Sequence, residues 1–514
     1  MLHDGKILIG KSGEEKIYIY PQMANRHGLI AGATGTGKTI SLKVLAESFS
    51  DCGVPVFLAD VKGDLAGMCQ MGTMNENVQK RVDAMNLAAE GYEFRKYPTA
   101  FWDVYAEQGM PLRTTITEMG PLLLSRIMDL NDTQSDILTI IFKIADDENL
   151  LLIDTKDLRS MLQYVGENAK EYSLAYGNLS KQSIAAIVRA VVALEAEGGD
   201  QFFGEPALDI RDWIKTDFNG KGEIQILDCQ KLIQNPTMYA TFMLWMMSEL
   251  FETLPEAGDL QKPRMVFFFD EAHLLFDSAP KALLEKIEQV VKLIRSKGVG
   301  IYFITQNPKD IPNGVLSQLG NKIQHALRAY TPAELKSAKA AADSFRVNPE
   351  FDTFEVLTNL AIGEAIISVL DEEGIPTVVK KTTILPPQSM MGALDDATRK
   401  NQITGNLLYA RYATMDDRDS AYEFLQRKAV ADEQAEIAAE EAAALEKQKK
   451  KEEEKMAKKK KTVVKSVASS AAGTIGREFG NTIGKSIGGS FGKKIGGNVG
   501  ASLGRGILST LFKL

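Results

Sequence analysis

The chain has 514 residues, of which 44% are hydrophobic and 25% charged, and it carries a net charge of −8. That balance belongs to a globular protein with one large core plus appendages, and it excludes a low-complexity or collagen-like chain. Three cysteines (Cys52, Cys69, Cys229) without a C-x-x-C spacing and four scattered histidines indicate neither a disulfide framework nor a zinc site.

In chain order, His27–Ala31 reads as a short apolar strand, and from Thr39 onward apolar residues recur at helical spacing. Between them stands Gly32-Ala-Thr-Gly-Thr-Gly-Lys-Thr39, a complete G-x-x-x-x-G-K-T phosphate loop. Gly32, Gly35 and Gly37 let the backbone curl so that its N–H groups point at phosphate oxygens. The helix start adds its positive dipole end. Lys38 would bridge the β- and γ-phosphates, and the Thr39 hydroxyl would ligate Mg²⁺. Gly32, Ala33, Thr34, Gly35, Thr36, Gly37, Lys38, Thr39 and Ile40 form the expected nucleotide-binding set. A dinucleotide fingerprint needs G-x-G-x-x-G, a different glycine spacing, and leaves Lys38-Thr39 unexplained. The bland alternative, a glycine turn with no ligand, is opposed by the strand and helix on its flanks.

Pro55–Asp60 is a second strand, whose terminal Asp60 either sits near the metal or water or is merely solvated. Residues 1–104 read as the first part of the nucleotide domain. Residues 105–215 change character: stretches such as 135–144 and 183–192 have helical period, which predicts a helical insertion. Glu223–Asp228 resumes the sheet, and residues 216–385 complete it. Met265–Phe269 is an apolar run that reads as a buried strand, so Asp270 emerges at the carboxyl edge of a parallel sheet, where such folds bind ligands. Asp270 would hold Mg²⁺ through water, and Glu271 is the natural general base for a water at the γ-phosphate. Asp270-Glu-Ala-His273 spells the tetrad of the DEAH helicases, but no second motor domain follows, and His273 is expected to pack locally.

A helix from Leu283 to Ile294 precedes the strand Gly300–Gln306. Gln306 can hydrogen-bond the γ-phosphate or the attacking water, with a solvated strand-end glutamine as the alternative. Lys322–Arg328 and Ala365–Leu370 extend the sheet, the latter in a hairpin with Pro376–Lys380. Residues 386–428 read as a C-terminal helical segment. Residues 429–461 are almost all Ala, Glu and Lys: a solvated helix or a linker. In 462–514, Gly476, Gly480, Gly484, Gly488, Gly492, Gly496, Gly500 and Gly504 recur every four residues, each after an apolar residue. On a helix that makes a glycine groove beside an apolar ridge, suited to close packing or, with six basic residues from Arg477 on, to a membrane surface. A flexible glycine-rich tail is the alternative.

With these residues in hand, the chain resembles the HerA/FtsK group of phosphate-loop ATPases, and within it the stand-alone bacterial HerA-like family. The resemblance covers residues 1 to about 425 and rests on Gly32–Thr39, Asp60-x-Lys-Gly-Asp64, Asp270–His273 and Arg295-Ser-Lys-Gly-Val-Gly300 leading to Thr305-Gln-Asn-Pro308. It implies an α/β, RecA-like fold with a central, mostly parallel sheet. It implies a homo-oligomeric ring, a hexamer, with active sites between subunits. In that group an arginine between the Glu and Gln strands reaches the neighbouring subunit's nucleotide, and Arg295 matches by position; a helix-end cation is the alternative. Arg26 resembles a basic residue that contacts phosphate within the same subunit. HerA proper has a β-barrel ahead of its loop; with only residues 1–31 there, the barrel is expected to be absent or reduced to a hairpin.

The function expected is a Mg²⁺-dependent ATP hydrolase that works as a DNA translocase or helicase-like motor on duplex DNA. A regulatory or non-DNA ATPase held at a membrane surface by the glycine-repeat tail is the alternative, and a nucleotide-gated scaffold a third. The charge is uneven: residues from Lys455 on carry +11 and the body −19, which speaks against wholesale coating of DNA but leaves a threading pore open. No signal-peptide pattern and no run of the roughly eighteen apolar residues that span a bilayer is present, so a cytoplasmic protein is expected, with peripheral membrane attachment through the tail left open.

Overall fold

The computed structural model describes residues 1–258, 260–277 and 281–467. The glycine repeat of 476–504 lies outside the described residues. Contacts divide the chain into two units, Met1–Arg427 and a second from Lys428 on. The described part of the second unit, to Val467, is helical.

Among the described residues, thirteen strands form one sheet in the first unit. They are β1 (Leu2–His3), β2 (Lys6–Ser12), β3 (Glu15–Ile19), β4 (Gly28–Ala31), β5 (Val56–Asp60), β6 (Thr99–Asp103), β7 (Met110–Pro111), β8 (Ile224–Asp228), β9 (Met265–Phe269), β10 (Val299–Thr305), β11 (Asn321–His325), β12 (Glu364–Ser368) and β13 (Lys380–Ile384). The order is β1-β2-β13-β12-β11-β4-β10-β9-β5-β8-β6-β7, with β3 paired to β2. From β11 to β7 every pairing is parallel. The other pairings, from β12 to the N-terminal β2–β3 hairpin, are antiparallel.

The central strands are apolar throughout because both faces are covered. Alternate residues then serve two cores. Phe267, Phe269, Ile301 and Phe303 point into the core shared with the inserted helices. Val266, Phe268, Tyr302 and Ile304 point into the core beneath the helix Lys38–Asp51. Between β7 and β8 lie the helices Ile116–Ile127, Asp132–Asp147, Thr155–Glu167, Ala169–Tyr176 and Lys181–Leu194. Capping boxes at Thr115/Glu118, Asn131/Gln134 and Asp154/Asp157 start three of them.

Two strand assignments need correction. The strand expected over Lys322–Arg328 stops at His325, because Ala326 turns to accept the Ala33 N–H (2.9 Å). The partner of β12 is Lys380–Ile384 rather than Pro376–Lys380. The return does begin with a Leu370–Pro376 bridge. Val379 then pairs instead with Arg346 O (3.1 Å) and the Asn348 side chain (3.0 Å), so the ladder starts one residue later. The region ahead of the phosphate loop is a hairpin, as one of the two alternatives anticipated.

Candidate active site

Gly32 follows β4 with φ +153°, and a Cβ there would stand 2.5 Å from the His325 Cβ. Only glycine lets the chain curl this tightly against β11. Behind the curl, Ala33 N–H donates to Ala326 O (2.9 Å) and Gly363 N–H to Thr36 O (3.0 Å). The Thr36 hydroxyl donates to Ala33 O (2.7 Å). Lys38 Nζ folds over the loop and donates to Gly32 O (2.7 Å) and Ala33 O (3.2 Å). Burial pushes the Lys38 ammonium below its ordinary value, against the pull of Asp270 and Glu271. Thr39 and Ile40 open the helix Lys38–Asp51 that continues the loop.

His325 forms the floor. Its Nδ1–H donates to Glu364 O (2.9 Å), which leaves Nε2 to accept the Ser41 hydroxyl (2.8 Å). Burial holds its pKa at about 4, so the ring is neutral and joins β11, β12 and the loop's helix. His27 does the same at the other edge: Nε2–H donates to Val291 O (2.9 Å) and Nδ1 accepts Ile301 N–H (3.0 Å), again with a pKa of about 4 from burial.

One strand end ties the loop to the Asp-Glu turn. The Thr305 carbonyl accepts Gly32 N–H (3.3 Å), and the Ile304 carbonyl accepts Ala272 N–H (2.9 Å). Gln306, the next residue, is exposed at the same edge. Glu271 has φ +46°, a left-handed conformation that costs a residue with a Cβ about 1–3 kcal/mol. It is held there because Tyr239 O–H donates to the Asp270 carbonyl (2.5 Å) and Glu271 N–H donates to Asp270 Oδ1 (2.9 Å). The Glu271 Oε2 atom is buried and accepts no hydrogen bond. His273 Nδ1 lies 3.4 Å from it and becomes an ion-pair partner only if the ring is protonated.

These residues fit a hydrated Mg²⁺. Burial and the neighbouring Glu271 push Asp270 up to about 6, and Lys62 and Lys38 only partly offset them. Thr39 and Asp270 offer hard oxygen donors. No cluster of three or more His, Cys, Asp or Glu able to hold a metal occurs among the described residues. Such a site would thus need phosphate and water oxygens to complete it.

The remaining candidates separate. Asp60 reaches the same edge, but its carboxylate accepts Gly63 N–H (2.8 Å) and Leu65 N–H (3.1 Å), and so holds its own turn. Arg295 lies before β10, an exposed residue about 20 Å of strand away from Gln306. Arg26 lies before β4, with its guanidinium beside Gly374. Neither is brought to the loop of its own chain. Tyr239, His325 and Lys62 belong to the site without having been assigned a role from sequence. Lys62 stood in the motif already singled out. Tyr239 and His325 carried no local signal.

β10 intervenes between the strand of the phosphate loop and the strand of Asp270. That order, with the loop and the Asp-Glu turn at one edge, defines a RecA-like phosphate-loop ATPase. The chain belongs to the Helicase HerA-like C-terminal family, which it matches over residues 6–513. Among curated relatives, a DNA double-strand break repair helicase HerA of Sulfolobus acidocaldarius is 22% identical over 392 residues, covering 75% of this chain and 69% of the relative. Its counterpart in Saccharolobus solfataricus is 25% identical over 394 residues, covering 73% and 68%. Among solved structures, the unbound bacterial conjugative coupling protein TrwB aligns at 13% identity and a TM-score of 0.48, over 76% of this chain and 91% of that one.

Proposed function

We propose that this chain is a Mg²⁺-dependent ATP hydrolase that assembles as a hexameric ring and moves along duplex DNA. One observation carries the reading: the end of β10 ties the phosphate loop and the strained Glu271 turn together through the Thr305 and Ile304 carbonyls. Residues 32–40 bind the phosphates. Lys38 exchanges its two carbonyl partners for phosphate oxygens, and Thr39 and Asp270 hold Mg²⁺. Bound there, Mg²⁺ neutralises charge on the phosphates. Glu271 Oε2 accepts a proton from the attacking water as the water oxygen bonds to the γ-phosphorus and the β–γ bridging oxygen leaves with ADP. Gln306 orients that water. Arg295, far from its own loop, serves the site of a neighbouring subunit, and Asp60 acts through the turn it holds.

The curated relatives are described as DNA repair helicases, which favours DNA as the polymer. The test is the ATP hydrolysis rate of protein of known oligomeric state, alone and with duplex DNA, single strands or vesicles. Stimulation by duplex DNA is expected. Indifference to DNA together with stimulation by vesicles would overturn the DNA reading and leave a membrane-associated ATPase.

A further inference from the structure

The edge that carries the phosphate loop holds a cation to which the mechanism above gives no part. Lys62 lies two residues beyond β5, in the turn that Asp60 fixes through Gly63 N–H (2.8 Å) and Leu65 N–H (3.1 Å). Gly63 has φ +74°, a left-handed conformation that favours glycine and shapes the turn. β5 pairs in parallel with β9, Leu58 opposite Phe268, which sets Asp60 level with Asp270. One strand spacing, about 4.8 Å, separates the two strand ends.

Lys62 is exposed, and it makes no hydrogen bond or ion pair among the described residues. Its charge nevertheless acts on Asp270 and on Lys38. β4 and β5 stand three strands apart, with β10 and β9 between them. The two lysines therefore stand on opposite sides of the gap above β10 and β9. They repel one another there, and a multiply charged anion would relieve the repulsion.

We propose that Lys62 is a second phosphate-binding cation, contacting the γ-phosphate of a bound nucleoside triphosphate from the side opposite Lys38 and so distinguishing triphosphate from diphosphate. The proposal rests on the reading of Gly32–Thr39 as a nucleotide site. Its test is equilibrium binding of ADP and of a non-hydrolysable ATP analogue, both with Mg²⁺, to the full chain and to Lys62→Ala, Lys62→Arg and Lys38→Ala. Lys62→Ala is expected to lose about tenfold or more in affinity for the ATP analogue, with ADP affinity changed less than about twofold. Lys62→Arg is expected to keep most of the analogue affinity. An unchanged thermal midpoint for Lys62→Ala would confirm that the effect is local. Equal losses for both nucleotides, or no loss for either, would overturn the proposal. If Lys38→Ala binds both nucleotides as well as the parent chain does, the phosphate-loop reading itself fails and the proposal with it.

Discussion

Glu271 is held in a conformation a glutamate avoids, and its partners show why the strain persists. Tyr239 and Ile304 fix the backbone on either side of it, leaving Oε2 buried and without a donor. Tyr239→Phe removes one of these ties while keeping the ring. A hydrogen bond of this kind contributes about 1 kcal/mol, so kcat for ATP is expected to fall about fivefold, with the melting midpoint shifted by only a few degrees. An unchanged kcat would show that the Asp270 carbonyl needs no partner. The proposed site residues were legible in the sequence because each follows an apolar run: Gly32 after His27–Ala31, Asp270 after Met265–Phe269, Gln306 after Gly300–Thr305. Tyr239 was not. It sits in the helix Pro236–Thr253, which is buried over most of its length, and its contact with Asp270 spans 31 residues.

At the scale of elements, the parallel strands were readable because burial on both faces leaves unbroken apolar runs. The edges were harder. β7, at the end of the sheet just ahead of the helical insertion, is only two residues long, and β13 is displaced because Val379 bonds to the 346–348 loop before the ladder begins. The two buried histidines weld elements that sequence leaves unconnected: His27 joins β4, β10 and the helix Lys281–Ile294, while His325 joins β11, β12 and the helix Lys38–Asp51. Both rings stay neutral in the fold down to about pH 4. In the unfolded chain they take up protons near pH 6.5. Stability from these rings is therefore complete above about pH 6.5 and is lost as pH falls toward 4, by up to about 1.4 kcal/mol per unit for each histidine. Denaturant midpoints measured from pH 7.5 to 5 should fall accordingly, and His325→Gln should show a shallower fall. An identical slope in that variant would contradict a neutral, buried His325.

At the scale of the whole molecule, the sheet separates two sets of charges. The loop, Asp270, Glu271, Gln306 and Lys62 lie at the carboxyl edge, and Arg26 and Arg295 lie at the other. Arg295 is not brought to the loop of its own chain, and in the proposed ring it would serve a neighbour's phosphates. Arg295→Ala is then expected to be inactive alone and to regain hydrolysis when mixed with Glu271→Gln subunits, which supply the arginine while the Arg295→Ala subunits supply the glutamate. Absence of complementation, in rings shown to be mixed, would contradict a shared site. None of the described helices is long and apolar enough to cross a membrane. Everything proposed for the assembly depends on Glu271 acting on water at a bound triphosphate. The most direct measurement is steady-state ATP hydrolysis by Glu271→Gln beside its affinity for a non-hydrolysable ATP analogue, both with Mg²⁺. Affinity within about threefold of the parent chain, with turnover reduced about a hundredfold or more, is the predicted result. Near-normal turnover at full nucleotide occupancy would contradict it.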